Sequence, residues 1–261
     1  MTPHNDRIDA FGAQWHATEQ GSGAVSHADG ALRLSVQPTA DRSAYHNAQV
    51  TDYNPVQQRF TLRPPLRVTV EACLSTPADT VRGTAGFGLW NHTYDPTRRG
   101  FRLPQTAWFF FASADSNLAL AQGVPGWGWK VAVLDAGRWQ ARALLPLAPL
   151  AIPLMRIPPL YRRLYPLAQA VLGVGERALD AALLARVRRY EILWRRDGLR
   201  FSVDGETVLH TGHAPRGPLG FVAWIDNQYA VVTPQGQFAF GVCPLVQPQA
   251  LILQRVEVSE T

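Results

Sequence analysis

The sequence contains little lysine and little cysteine. Only one of its 25 basic residues is a lysine, Lys130, so arginine carries the rest of the positive charge. The two cysteines, Cys73 and Cys243, both lie in apolar, strand-like runs, which predicts two buried thiols. No disulfide framework is therefore expected.

Long uninterrupted hydrophobic runs are also missing. The most apolar stretch, residues 144–160, contains five prolines and falls short of the ~20 residues that a spanning helix needs. Residues 1–15 show no basic region followed by an apolar run, so they do not resemble a secretory signal. We expect a cytoplasmic protein, with membrane association left open by the apolar stretch.

The charge is positive but not concentrated. The formal net charge is +5 and the isoelectric point is near 9.6, but outside residues 156–200 the basic residues are scattered. The sequence signals of nucleic-acid-binding folds are missing. We therefore expect no nucleic-acid partner.

Alternating hydrophobicity dominates the chain from Ala31 onward. In "ALRLSVQP", Leu32, Leu34 and Val36 alternate with polar residues, as in a half-buried strand. Similar short runs follow, separated by turn signals such as Asp204-Gly205. The sequence predicts an all-β fold, a two-sheet β-sandwich of the jelly-roll type, as a single domain over residues 1–261.

One segment interrupts the β pattern, and we interpret residues 140–188 as an insertion. Its first part is the apolar, proline-rich stretch, and its second part spaces Leu167, Val171, Val174 and Leu183 like one face of an amphipathic helix. The insertion is expected to lie over the sandwich or at a membrane surface.

The stretch "GFVAWIDNQYAVV" is interpreted as a single strand with three polar residues in the middle. Asp226, Asn227 and Gln228 lie between Trp224 and Tyr229. A carboxylate within a strand costs several kcal/mol unless it is paired or faces a cleft. We predict that Asp226 is a catalytic or ligand-facing residue. The ligand is also expected to contact Trp224, Asn227, Gln228 and Tyr229. The alternative is a structural aspartate bonded to an arginine or to loop amides.

Two aromatic stretches supply further candidates. In "GLWNHTYDP", Trp90 and Asn91 are predicted to bind the ligand and His92 to assist Asp226; alternatively, Trp90 is core and His92 ends the strand. Trp108, in "AWFFFASAD", joins the predicted ligand-binding set.

The loop "GVPGWGWK" is the third candidate. Trp127 and Trp129 are predicted to rim a ligand mouth, with Lys130 pairing an anionic ligand group or a carboxylate. The alternative is a turn whose tryptophans pack under the sheet. His210 and His213 have no third ligand close by in sequence, so we expect no metal. No cofactor-binding motif is found, so no cofactor is expected.

The strand pair from Arg188 to Leu209, "RRYEILWRRDGLRFSVDGETVL", resembles the "H-x-Y-x-x-x-W…x-F-x-V-D-G" strands of laminarinase- and lichenase-type glycoside hydrolases. These enzymes belong to the concanavalin A-like lectin/glucanase jelly rolls. The closing "LILQRVEV" and the early "SAYHNAQVTDY" are similar to strands of the same group. As a pattern, the resemblance covers about two thirds of the chain, and it implies the same fold.

The resemblance stops at the catalytic motif. Those enzymes carry E-x-D-x-x-E on one strand, which places two carboxylates on one sheet face, whereas "AWFFFASAD" has no carboxylate before Asp115. Since retaining glycosidases need two carboxyl groups ~5–5.5 Å apart, we predict that the chain does not hydrolyse glucans.

Three functions remain. The first is binding of a small apolar or amphipathic molecule, with or without a sugar, in an aromatic cleft. The second is an enzyme on the same scaffold, using Asp226 for acid–base catalysis. The third is a membrane-peripheral protein whose insertion contacts the membrane, or a carbohydrate-binding protein.

Overall fold

The computed structural model describes residues 15–28, 30–95 and 99–261. Strands are the predominant secondary structure of the described chain, as predicted. The strands are β1 (His16–Gln20), β2 (Ala24–Ala28), β3 (Ala31–Val36), β4 (Asn47–Thr51), β5 (Leu66–Leu74), β6 (Thr84–Trp90), β7 (Tyr94–Asp95), β8 (Gly100–Phe101), β9 (Gln105–Ala112), β10 (Gly128–Asp135), β11 (Gly175–Ala178), β12 (Arg188–Trp194), β13 (Leu199–Val203), β14 (Glu206–Thr211), β15 (Gly220–Asp226), β16 (Gln228–Val232), β17 (Phe238–Val242) and β18 (Gln249–Glu260).

Two seven-stranded antiparallel sheets form the sandwich. The first has the order β1-β4-β15-β6-β9-β10-β11, and the second has the order β14-β13-β12-β5-β18-β3-β2. Two small two-stranded sheets, β16-β17 and β7-β8, accompany them. Consecutive strands pair within each sheet, as in β9-β10 and β12-β13-β14, but the central pairings β4-β15-β6 and β12-β5-β18-β3 join strands that are distant in sequence, as in a jelly roll. The predicted two-sheet sandwich is confirmed.

The core between the sheets follows from the alternation of side chains along each strand. In β6 the odd-numbered positions are buried against the second sheet, with Phe87 fully buried. Phe109 of β9 packs edge-on against Phe201 of β13, with ring centroids 5.5 Å apart, and against Tyr190 of β12 at 5.0 Å. Aromatic rings from both layers thus interdigitate in the core.

The insertion begins with three short helices, α1 (Trp139–Leu144), α2 (Ala148–Leu154) and α3 (Pro158–Val171). The predicted helix over residues 167–188 is wrong beyond Val171. Gly173 ends the helix in a left-handed conformation, with φ +59°, which glycine adopts more readily than other residues. Residues 175–178 are then strand β11, which pairs with β10 at the edge of the first sheet.

The stretch from Gly220 to Val232 is also not one strand. The strand β15 ends at Asp226, and β16 begins at Gln228 and pairs with β17 instead of joining the large sheet. The polar residues therefore lie at the junction between two sheets. The single-strand interpretation of this stretch is corrected accordingly.

Candidate functional site

The outer face of the first sheet carries the candidate site. On β6, β9 and β15 the residues that alternate with the core positions point away from the second sheet. On these three adjacent strands they include Trp90, Trp108, Phe110 and Trp224. We call these four side chains the aromatic face.

The rings of the aromatic face contact one another in a continuous group. Trp108 lies 5.8 Å from Phe110 and 5.6 Å from Trp224, measured between ring centroids, and Trp90 lies 6.3 Å from Trp108. Trp108 and Trp90 are half-buried, whereas Phe110 and Trp224 are more deeply covered. The structure thus brings three predicted ligand-binding tryptophans together, with Trp108 at their centre.

Two glycines of β6 make room for these rings. A β-carbon on Gly86 would lie 2.9 Å from the Trp224 ring, and one on Gly88 would lie 2.7 Å from Cβ of Trp108. Gly88 also has φ +152°, a conformation that side chains rarely adopt. A side chain at either position would collide with the backbone of β9, and at Gly86 also with the Trp224 ring, so the close packing of β6 beside these aromatic residues requires glycine.

Asp226 lies at the end of β15 and points to the same outer face. Its Oδ1 accepts hydrogen bonds from the Thr84 hydroxyl (2.9 Å), the Thr84 amide (3.1 Å) and the Gln228 amide (3.0 Å). Its Oδ2 is 3.5 Å from the Tyr45 hydroxyl. The indole N–H of Trp224 donates to the Thr84 hydroxyl at 2.9 Å, which links the aromatic face to the carboxylate.

The partners of Asp226 in the described chain are neutral: the amides of Thr84 and Gln228 and the hydroxyls of Thr84 and Tyr45. Of the structural alternative, the bonds to backbone amides are found and, among the described residues, the pair with an arginine is not. Burial raises the pKa of Asp226 to about 6, because the hydrogen bonds from Thr84 and Gln228 offset only part of the cost of desolvating the charge. The group therefore titrates just below neutrality.

Asn227 has a structural role instead of the predicted ligand contact. It is buried, and its side-chain amide donates to the carbonyls of Ala44 and Cys243, while its Oδ1 accepts from the His46 amide. These bonds tie the junction between β15 and β16 to the segment before β4 and to the residue after β17. Its neighbours Gln228 and Tyr229 are half-buried.

At the opposite end of β15, a second polar group borders the aromatic face. The Trp90 indole donates to the Tyr53 hydroxyl at 2.5 Å, and the Trp90 ring lies 4.7 Å from the ring of His92. Burial lowers the pKa of His92. Asp52, next to Tyr53, accepts from the Phe221 amide at 2.7 Å, and burial raises its pKa to about 7.

Asn91 does not face a ligand. Its side chain donates to the Leu103 carbonyl and accepts from the Gln105 amide, so it fixes the loop after β6. His92 has φ +44° just beyond the strand end. The two catalytic candidates, Asp226 and His92, lie near opposite ends of β15, because Trp90 pairs with Gly220 and Thr84 with Asp226.

The remaining three candidates have different environments: Trp127 precedes β10, and Trp129 and Lys130 lie within it. Trp129 is 2% exposed and stacks on Phe109 in the core, so its predicted ligand contact is wrong. Lys130 is fully buried and its Nζ lies 2.8 Å from Glu176 Oε1. Of the two partners proposed for Lys130, the carboxylate is the one found. Trp127 remains half-exposed.

The outward carboxylates of this sheet are far apart. On its described strands from β4 to β11 in sheet order, Asp226 and Glu176 point outward. They lie on β15 and β11, four strand spacings apart, which is about 19 Å. Asp52 follows β4 at the Gly220 end of β15, six residues and about 20 Å from Asp226.

Among the described residues, the loop after β9 packs against the aromatic face, and the insertion reaches the face through that loop. Leu118 of this loop packs against the face, and α3 reaches the loop through a hydrogen bond from the Tyr165 hydroxyl to the Leu120 carbonyl, 2.7 Å long. A depression of about 510 Å³ lies elsewhere, on the outer face of the second sheet near Arg189 and Glu191. None of the predicted ligand residues lines it.

Comparison with solved structures identifies the fold. A β-glucanase of Bacillus licheniformis superposes with a TM-score of 0.53 at 13% identity, covering 98% of this chain and 96% of that one. A β-1,3-1,4-glucanase (lichenase) from a mouse hindgut metagenome gives 0.53 at 13% identity, with both chains covered completely. A pseudo β-1,3-glucanase of Mycobacterium tuberculosis, an immunostimulatory antigen, gives 0.52 at 10% identity, covering 98% and 97%.

These matches show that the chain shares the jelly-roll fold of those glucanase structures. At such low identities they show the fold alone. Neither a protein-family model nor a curated protein matches the sequence.

Several residues of the site were not predicted from the sequence. Phe110 lies two positions from Trp108, so strand alternation would have placed both on one face. Thr84 and the glycines after it, in "TAGFGLW", follow the same alternation. Tyr45 and Asp52 reach the site only through the pairing of β4 with β15, which the local sequence does not reveal.

Proposed function

We propose that the chain binds a small apolar or amphipathic molecule, with or without a sugar group, against the aromatic face. The observation that carries this proposal is the contiguous group formed by Trp90, Trp108, Phe110 and Trp224 on three adjacent strands. Ring faces on a sheet suit both aliphatic groups and the apolar faces of sugars.

The positions of the carboxylates favour binding without glucan hydrolysis. Glycosidases use two carboxyl groups about 5–9.5 Å apart, depending on stereochemistry. The strands that carry Asp226 and Glu176 are about 19 Å apart, which is twice the upper limit of that range. Glu176 is in addition already paired with Lys130. The outward positions of β9 are occupied by Thr106, the aromatic residues and Ala112 instead of acids.

The polar groups at the two ends of the aromatic face suit an amphipathic ligand. Tyr53 and His92 border one end, and Asp226 with Tyr45 borders the other. Apolar groups can lie on the rings while a hydroxyl or sugar group reaches a polar end.

The test is a comparison of matched tryptophan variants with defined probes. We expect N-phenyl-1-naphthylamine and monomeric octyl β-glucoside to bind the protein. Trp108→Ala should weaken both by about 10- to 100-fold, since one large aromatic contact is worth roughly 1.5–3 kcal/mol. Trp139→Ala, an exposed tryptophan of the insertion, should leave both affinities unchanged.

Failure of both probes to bind, or equal losses in the two variants, would contradict the proposal. So would release of reducing sugar from laminarin by the purified protein, because that requires a carboxylate arrangement different from the one described. Preferential binding of laminarin without cleavage would favour a carbohydrate-binding protein instead.

Acid–base catalysis at Asp226 is a second candidate, favoured by the raised pKa of about 6. Oδ1 is occupied by three donors, whereas within the described chain Oδ2 has only the long contact with Tyr45, so Oδ2 is the oxygen able to exchange a proton with a ligand. Asp226→Asn would then abolish turnover of a bound probe without weakening its binding. Unchanged turnover in this variant would refute the role.

A further inference from the structure

The insertion exposes an unusual concentration of apolar side chains. Among the described residues, 17 large hydrophobic side chains are exposed, and nine of them lie within residues 139–171. Trp139, Leu150 and Leu167 are 73%, 71% and 64% exposed. Soluble monomers rarely leave such a contiguous apolar patch uncovered, so it indicates an interaction surface.

The hairpin formed by β16 and β17 extends this surface. Phe238 and Phe240 are 74% and 52% exposed. At the hairpin tip, Arg156 Nε donates to the Gln235 carbonyl at 3.0 Å, and Gly236 lies so close to Ile152 that a β-carbon there would be 2.6 Å from its Cγ2. Residues 139–171 and 228–242 therefore meet, and we call them together the insertion–hairpin surface.

All the charge on this surface is positive. Residues 139–171 contain Arg142, Arg156, Arg162 and Arg163 and no acidic residue, and residues 228–242 contain no charged residue. All four arginines are exposed. An anionic partner is therefore complementary to the whole surface.

We propose that the insertion–hairpin surface docks on an anionic lipid bilayer. Aliphatic side chains, an exposed tryptophan and arginines without carboxylates are the composition of segments that lie in the membrane interface. The helices contain 6, 7 and 14 residues. None of the described helices has the length and hydropathy needed to cross a bilayer.

A bilayer fits this surface better than a second copy of the chain does. In a symmetric dimer the surface would meet itself, so its arginines would oppose one another with no carboxylate between them. Anionic lipid head groups supply the opposite charge. The docking proposal does not depend on the aromatic face being a ligand site.

The first experiment is co-sedimentation of the full chain with vesicles of phosphatidylcholine alone or mixed with phosphatidylglycerol. We expect binding to the mixed vesicles that weakens as salt is added. Arg162→Glu with Arg163→Glu should lower the partition coefficient by about 25-fold or more, since each basic residue near the surface is worth roughly fivefold. The control pair Arg195→Glu with Arg196→Glu makes the same charge change at the exposed β12–β13 turn and should bind nearly as the parent does.

A second variant pair tests the apolar contribution. Leu147→Ser with Leu150→Ser should lower binding to the mixed vesicles at least tenfold, whereas Val56→Ser with Val246→Ser, also exposed and apolar, should not. The proposal is overturned if the protein fails to bind the mixed vesicles, or if it binds neutral vesicles equally well. Self-association that the leucine variant abolishes, without vesicle binding, would identify a second copy of the chain as the partner instead.

Discussion

Replacing Asp226 by asparagine should stabilise the protein at neutral pH, which is an unusual outcome for a buried, multiply bonded residue. The asparagine Oδ1 can accept the same three hydrogen bonds from Thr84 and Gln228, and its amide can donate to the Tyr45 hydroxyl. The substitution removes a charge whose partners are all neutral. The desolvation cost of that charge is therefore removed, and the one acceptor lost is that of the half-buried Tyr45 hydroxyl, whose contact with Oδ2 is already long at 3.5 Å.

The magnitude follows from the pKa. A rise from 3.8 to about 6 in the folded state corresponds to roughly 3 kcal/mol, at 1.36 kcal/mol per unit. Because the folded protein holds the proton more tightly than the unfolded chain does, the stabilising contribution of the protonated group is complete below about pH 3.8 and is lost as the pH rises through about 6. At about pH 7.5, Asp226→Asn should therefore gain up to about 3 kcal/mol, or about 6–12 °C in Tm. At about pH 4 the gain should vanish.

Thermal and denaturant unfolding at the two pH values provides the assay. Asp115→Asn is the matched control. Burial tends to raise the pKa of Asp115, but hydrogen bonds from Ser113 and Arg82 outweigh it and lower the pKa. That variant should lose stability at neutral pH and recover at acidic pH, the opposite sign. A loss of more than about 3 kcal/mol in Asp226→Asn at both pH values would refute the reasoning, since it would mean that a charged partner had been stranded.

Three further outcomes follow from the same structure. Gly88→Ala should destabilise the folded protein by about 1–3 kcal/mol and shift the fluorescence of Trp108, because the new β-carbon would lie 2.7 Å from Cβ of Trp108 and an alanine is strained at φ +152°; unchanged unfolding and emission would contradict this. Lys130→Met should cost about 3–5 kcal/mol in urea unfolding by leaving the buried charge of Glu176 without its ion-pair partner, and adding Glu176→Gln, which still accepts the Leu120 and Ala121 amides, should recover part of it; a double variant no better than the single one would argue against it. Asp52, whose pKa burial raises to about 7, should make the protein less stable as the pH rises from about 5 to 8, and Asp52→Asn should flatten that dependence in a pH series of melts.

The strands and the core were predictable because they depend on local alternation. In "GWKVAVLD", Trp129 shares its parity with Val131 and Val133, and all three point into the core. The same alternation could have excluded Trp129 from the ligand site, but its glycine-rich context favoured an exposed loop. Aromatic content made the tryptophans candidates, and parity decided which of them face outward.

The failures have long-range causes. Asn227 bonds to backbone groups at positions 44, 46 and 243, so its role depends on contacts that no local window contains. The prediction of a helix over residues 167–188 was wrong beyond Val171. The spacing of Val174 and Leu183 also suits a short edge strand followed by a short 3₁₀ helix. Gly173 was the local signal that the helix ends.

The single lysine has a practical consequence for measuring motion in this protein. Its ε-amino group is fully buried, held by Glu176 and by the carbonyls of Leu118 and Pro125. An amine-reactive acylating reagent can modify Lys130 only when β11 or the loop after β9 moves away from it. The rate of acylation at that position therefore reports how often this edge of the sheet opens, in the native sequence and without an added label.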